Sequence, residues 1–213
     1  MAQAPHFDDQ FRTTLADLFL WRRDVRSFRP DPLPPGLIHE LLALACRAPS
    51  VGFSQPWRWV MVDAPDRRTA IVENFQQANQ RALGELDGTR AALYARLKLA
   101  GLVKAPVHLA VFADLTTEMG HGLGRKTMPE TSLYSVVCAV HTLWLVARAH
   151  GIGFGWVSIL DPLQVPDALD LPKHWKLVAY LCIGYAEDEQ DQPELEREGW
   201  ATRQPEAIVL VQR

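Results

Sequence analysis

Apolar residues recur at two different spacings along this 213-residue chain, and the changes of spacing mark out its elements. Phe11, Leu15, Leu18 and Phe19 fall on one face of a helix, which predicts a first helix over residues 10–21. Prolines at positions 30, 32, 34 and 35 forbid its continuation. A second helix is expected from Pro35 to Ala48, with Pro35 in its first turn and Leu37, Ile38, Leu41, Leu42 and Ala45 as its apolar stripe. Ser50 to Pro56 reads as a loop. Trp57 to Val62 alternates apolar and β-prone residues and reads as a strand. Residues 66–100 are helical in character, with a break near Asp87-Gly88. Their first part carries Gln76, Gln77, Asn79, Gln80 and Arg81, too polar for a core, so it is exposed or covers something.

Pro106 opens a strand over Val107 to Ala113, and Asp114 to Glu130 has glycines without periodicity, so it reads as a loop. Thr131 to His150 is apolar on nearly every face, which predicts a central helix buried all round and ended by Gly151. Two further strands are expected at Phe154 to Leu160 and Lys176 to Tyr185, with Asp161-Pro162 capping a short helix between them. The tail, about 186–213, is charged but finishes on Ala207-Ile208-Val209-Leu210-Val211. An apolar end on a polar tail suggests docking on another subunit. Interleaved helices and strands without a repeat make one α+β or α/β domain over 1–213, built on one central sheet.

The hydrophobic share of 48% and charged share of 22% fit a globular chain that buries a sizeable core, and the net charge of -3 gives no general pull toward nucleic acid or anionic membrane. No apolar run reaches the length of a membrane span, and the N-terminus lacks a secretory pattern. Cys46, Cys138 and Cys182 lie far apart in apolar runs without a CxxC pair, so they read as three small buried hydrophobes in a reducing cytoplasm. The seven histidines form no HExxH or similar ligand pair, and no metal site is expected.

Arg22, Arg23 and Arg26 crowd three guanidinium groups at a helix end. They repel one another unless an anion sits among them, and planar multi-donor groups suit a phosphate. A solvated basic patch is the plainer alternative. Asp24, inside the cluster, is either the ion pair that neutralises the arginines or a carboxylate placed as a base beside a bound anion. The stretch Gly120 to Thr127 meets neither phosphate-loop test: Arg125 separates Gly124 from Lys126, and the glycines do not lie directly between a strand and a helix. A structured loop is the better reading. Ser158 has no Gly-x-Ser-x-Gly elbow and reads as a strand-end serine donating one hydrogen bond. Trp144 reads as core, while Trp156 stays open between core and cofactor contact.

Together these segments resemble the nitroreductase superfamily. Arg22-Arg23-x-x-Arg26-Ser27-Phe28 is similar to its FMN-phosphate motif, and Ala48-Pro49-Ser50 with Ser54-Gln55-Pro56-Trp57 to its second flavin segment. Asp24 stands where ordinary members usually have Ser. Gly122-Leu123-Gly124-Arg125, Thr127-Met128-Pro129-Glu130 and Gly155 to Pro162 resemble the superfamily's flavin-destructase branch, the 5,6-dimethylbenzimidazole synthases, which make the lower ligand of vitamin B12.

The resemblance implies an α/β sandwich with a central, mostly antiparallel sheet flanked by helices, and a domain-exchanged homodimer with FMN at the subunit interface. It places Arg22, Arg23, Asp24, Val25 and Arg26 along the flavin phosphate and ribityl chain, with Ser50, Leu99 and Ser158 as further flavin contacts. It makes Asp24 and Ser158 the catalytic pair, and the polar helix around 75–86 a lid. The implied reaction consumes reduced FMN and O2 and releases 5,6-dimethylbenzimidazole and erythrose 4-phosphate, with a separate flavin reductase supplying the reduced flavin. The alternatives are an NAD(P)H-dependent reductase of a nitroaromatic, a quinone or cob(II)yrinic acid a,c-diamide, and a protein that stores reduced FMN without altering it.

Overall fold

The computed structural model describes residues 3–97, 101–204 and 210–213. Four strands, β1 (Trp57–Met61), β2 (Val107–Asp114), β3 (Gly153–Val157) and β4 (Trp175–Gly184), form one sheet in the order β1-β2-β4-β3. Every pairing in it is antiparallel. The central strands β2 and β4 are apolar toward both faces, as strands covered on both sides must be. On one face Leu109, Val111, Ala179, Leu181 and Ile183 pack against α2 (Leu37–Ala45) and α5 (Thr131–Ala149). On the other, Ala110, Phe112, Tyr180 and Cys182 pack with Ile71 of α3 (Pro65–Gly84), Val165 of α6 (Gln164–Ala168) and Phe28. The expected antiparallel sandwich is therefore present.

Helix α1 (Asp9–Trp21) begins where Asp8 accepts the Phe11 N–H at 2.8 Å, an N-cap contact. The polar end of α3 is exposed at Gln76, Gln77, Gln80 and Arg81, and α4 (Gly88–Arg96) follows the expected break. Asn74 of α3 is buried because its amide pairs with the backbone of Asp161, accepting from that N–H at 2.8 Å.

Several expectations are corrected. Helix α2 starts at Leu37, not Pro35, because Gly36 takes a left-handed φ of 85° and no helix passes through that conformation. It ends at Ala45, and the loop after it contains a 3-10 turn over Val51–Phe53. Strand β3 stops at Val157. Asp161 does not cap α6; it turns the chain one step earlier, accepting from Leu163 N–H at 3.1 Å.

Helix α5 is not buried all round. Its inward face is Ser132, Ser135, Val136, Ala139, Val140, Leu143 and Ala147, while Tyr134 (55% exposed) and Val137 (40%) face outward with Cys138 and His141. Cys138 thus lies on an outer stripe, Cys46 is exposed after the last turn of α2, and only Cys182 is buried. By length and mean hydropathy alone α5 is apolar enough to cross a membrane, a property it shares with core helices of soluble proteins. No residue of α1 is buried either, and Phe11, Phe19, Leu20 and Trp21 are exposed on it. A short helix α7 (Glu194–Arg197) follows β4. Of the apolar tail, Ala207 to Val209 lie outside the described residues, and Leu210 and Val211 are exposed.

Candidate functional site

The arginine cluster leaves α1 as extended backbone and runs beside β3. Val25 N–H donates to the Phe154 carbonyl at 3.0 Å, and Asp24 bridges Phe154 in parallel fashion. Gly155 permits this approach, since a Cβ there would collide with the Val25 carbonyl. Phe28, wholly buried, anchors the far end of the segment.

This backbone path separates the roles of the charged side chains. Asp24 Oδ1 accepts the Trp156 backbone N–H at 2.9 Å, and Oδ2 accepts from Arg26 Nε at 2.9 Å. The Arg26 side chain is only 12% exposed. The ion pair expected of Asp24 is thus present, and its carboxylate is held from two directions. Each oxygen keeps lone-pair capacity beyond these bonds. The Asp24 charge also reaches the core: the Cys182 thiol is pushed up to about 12 by burial, with Asp24 acting in the same direction. Cys182 is an inert thiol.

Arg22 lies flat on Trp144, its guanidinium carbon 4.6 Å from the ring centre. Burial lowers its pKa; Asp24 opposes that shift and Arg203 adds to it. Among the described residues the Arg22 guanidinium has no ion pair. Arg23 is placed differently: its Nε donates to the Asp191 carbonyl at 2.8 Å, its Nη2 to the same oxygen, and its Nη1 to the Arg22 carbonyl at 2.9 Å. It ties the chain after β4 to the end of α1. Arg148 ties the same stretch to the end of α5 through Glu189, at 2.8 and 3.0 Å. A groove of about 310 Å³ lies between these segments, lined by Arg23, Asp24, Arg26, Trp144 and Glu189 among others.

Trp144 packs against the core, as its place in an apolar helix predicts, and has a second role. Its Nε1 donates to the Arg23 carbonyl at 3.3 Å and its ring stacks on Phe154 with centroids 5.0 Å apart. It holds the arginine segment from the helix side. An indole in an apolar helix carries no sequence signal for that.

Ser50 is elsewhere. Its Oγ accepts the Gln55 N–H at 3.1 Å, and Val51 N–H donates to Ser135 Oγ at 3.0 Å, fixing this loop at the N-terminal half of α5. Phe53 and Gln55 in the loop have left-handed φ of 56° and 44°, strain of the kind stored at functional loops. Ser135 and Trp144 are nine positions apart on α5, about 13.5 Å at 1.5 Å per residue. Within one chain the anchors of the Ser50 loop and the Arg22 segment are about two and a half helical turns apart. Ser158 follows β3 two residues after Trp156, exposed and without a hydrogen-bond partner among the described residues. Leu99 lies outside the described residues. Among those described, no group of histidine, cysteine and acidic side chains is placed to hold a metal.

The nitroreductase family profile matches residues 19–185. The chain is 55% identical to a 5,6-dimethylbenzimidazole synthase of Rhodospirillum rubrum, over 98% of this chain and 99% of that protein. It is 46% identical to one from Rhodobacter capsulatus, over 94% and 97%. Among solved structures, iodotyrosine deiodinase bound to FMN and 3-iodo-L-tyrosine aligns with a TM-score of 0.71 at 23% identity, over 93% of this chain and 97% of that one. The sheet order, the arginine segment on β3 and these near full-length matches agree: the chain belongs to the nitroreductase family and, within it, groups with the 5,6-dimethylbenzimidazole synthases.

Proposed function

We propose that the protein fragments reduced FMN with O2, releasing 5,6-dimethylbenzimidazole and erythrose 4-phosphate. The observation that carries this reading is the Asp24 carboxylate, fixed by Trp156 N–H and Arg26 Nε immediately beside the partly buried cation Arg22. The near full-length similarity to proteins named for making this benzimidazole supports it.

The donor set fits a flavin phosphate. Arg22 is a desolvated guanidinium with no ion pair among the described residues, and Arg26 is next to it in the same segment. Reduced FMN, as substrate, supplies the dimethylbenzene ring, its two nitrogens and one carbon of the five-carbon ribityl chain, leaving a four-carbon sugar phosphate. The flavin's pyrimidine ring leaves as a separate fragment that takes up the oxygen of the O2 consumed. Arg22 and Arg26 hold the phosphate in this reading. Arg23 orders the segment with three of its five N–H donors and keeps two that can reach the phosphate from the groove it lines. Asp24 accepts and relays a proton near the ribityl chain. The Ser158 hydroxyl donates a hydrogen bond at the ring end. The Trp156 N–H keeps Asp24 oriented while it acts.

The working unit in this reading is a homodimer. The Ser50 loop and the arginine segment are held at opposite halves of α5, and the outer faces of α1 and α5 are apolar and exposed. Pairing those faces buries them and lets one chain's Ser50 loop meet the other's Arg22. Exposed free thiols at Cys46 and Cys138 suit a reducing cytoplasm, where a separate flavin reductase supplies the reduced flavin.

Product analysis tests the reading. Protein mixed with reduced FMN and then O2 yields dimethylbenzimidazole and erythrose 4-phosphate in equal amounts. Flavin recovered intact, with steady NADH oxidation, would replace it with a conventional reductase. Intact flavin without NADH oxidation would leave a storage protein.

A further inference from the structure

The glycine-rich loop over residues 119–127 has no part in the chemistry above, yet it is tightly built. Gly120, His121 and Gly122 have successive left-handed φ values of 73°, 51° and 76°. A Cβ on Gly120 would collide with the Gly52 carbonyl, and one on Gly52 would lie 2.6 Å from the Leu123 carbonyl, so the loop is pressed backbone to backbone on the 51–53 turn. A Cβ on Gly122 would lie 2.8 Å from Lys126 Cε. The lysine stem therefore crosses Gly122, and the Lys126 N–H donates to the Gly122 carbonyl at 3.3 Å.

This packing borders an open pocket of about 640 Å³ lined by His121, Arg125, Lys126, Glu118 and Ser132, among others. Arg125 Nη1 is buried and has no hydrogen-bond partner among the described residues. A buried cationic N–H without an acceptor is costly, and Glu118 is the single acid against two permanent cations on the lining. A planar guanidinium beside a lysine is the donor set that phosphoryl oxygens match best. Ser132 lines this pocket and Trp144 carries Arg22; they are twelve positions apart on α5, about 18 Å along the helix. One phosphate cannot reach both within a chain.

We infer that the Arg125–Lys126 pocket is a second anion site, separate from the Arg22 of its own chain, which takes the phosphoryl group of a small sugar phosphate. The phosphoryl part stands on the pocket alone. The sugar phosphate part rests on the proposed reaction, whose released product is of that class.

Calorimetric titration of the FMN-loaded protein with inorganic phosphate, and separately with erythrose 4-phosphate, tests this. Both bind, the sugar phosphate more tightly. Arg125→Gln weakens each by about tenfold or more, the loss of one charge-assisted contact, while FMN affinity changes by less than about twofold. Arg125→Lys, which keeps the charge, recovers part of the loss. No phosphate binding at millimolar concentration, or phosphate binding indifferent to Arg125→Gln, overturns the site. Equal loss of FMN affinity would make it part of the flavin site, and a dimer weakened by Arg125→Gln without any phosphate binding would assign the pocket to the partner chain; either overturns it. Sugar phosphate binding no tighter than phosphate overturns the ligand class. Arg125-dependent phosphate binding in a protein that forms no dimethylbenzimidazole keeps the site and rejects the reaction.

Discussion

The carboxylate of Asp24 and the backbone N–H of Trp156 are joined at 2.9 Å across 132 positions of sequence. The bond fixes a charged side chain to the edge strand of the sheet. It keeps one anchor when the charge is removed, because a neutral amide oxygen accepts the same N–H, although an amide nitrogen in place of Oδ2 cannot accept from Arg26 Nε.

Asp24→Asn follows from that geometry. The variant should fold, bind reduced FMN and allow its reoxidation by O2, but return the flavin intact with little dimethylbenzimidazole. Chromatography of the products checks this. If Asp24 only balances the arginines, fragmentation continues and FMN binds more tightly, because a negative charge beside the phosphate has gone. A near-normal yield of dimethylbenzimidazole removes Asp24 from the mechanism.

Arg22→Ala removes the cation that lies on Trp144 without an ion pair among the described residues. A lost charge-assisted bond to phosphate is worth about 1.5–3 kcal/mol, or roughly 10- to 150-fold in affinity. FMN binding should weaken by that order while riboflavin, which has no phosphate, is little affected. Equal losses for both ligands would show that Arg22 only shapes the pocket.

Val137→Asp places a charge on the exposed stripe of α5. Sedimentation of the parent protein at low micromolar concentration should give one species near twice 24.0 kDa, and the variant should shift toward monomer and lose FMN together. A monomer that binds FMN fully would contradict the shared site.

His108 sets an acid limit on stability. It is buried, with Nδ1 2.9 Å from the Tyr180 hydroxyl. Burial pushes its pKa down to about 4 from 6.5, and the Arg68 charge acts in the same direction. The unfolded chain then binds a proton that the folded one refuses. Stability is full above pH 6.5 and falls as pH drops toward 4, by about 3 kcal/mol in all. Urea unfolding at pH 7.5, 6 and 5 should show the decline, and His108→Gln should flatten it. An unchanged slope in that variant would place the loss on other groups.

Much of the architecture is written in local pattern. The 3.6-residue spacing of α1, the alternation of β1 and the glycine end of α5 depend on neighbours in sequence, and the structure follows them. The arginine segment was legible too, because the crowding of three guanidinium groups is a local electrostatic fact. Burial is not local. The outward stripe of Tyr134, Val137 and Cys138 is as apolar as a core face, and only the position of the sheet shows which side of α5 is covered. The same limit hid the start of α2, which a left-handed Gly36 delays by two residues.

Within the candidate site, residue type named the chemistry and the tertiary structure distributed it. Arg22 and Arg23 are adjacent and alike in sequence, yet one stacks on an indole and the other grips the carbonyl of Asp191. The difference arises because extended backbone sends successive side chains to opposite sides, and the partners on each side come from distant segments. Ser50 and Arg22 belong to one family signature but are anchored at Ser135 and Trp144, opposite halves of one helix. Sequence alone determined which groups a phosphate and a proton would need. Which of them share a cavity was decided only by how the chain packs, since long-range contacts depend on the shape of the whole core and not on the spacing of residues along it.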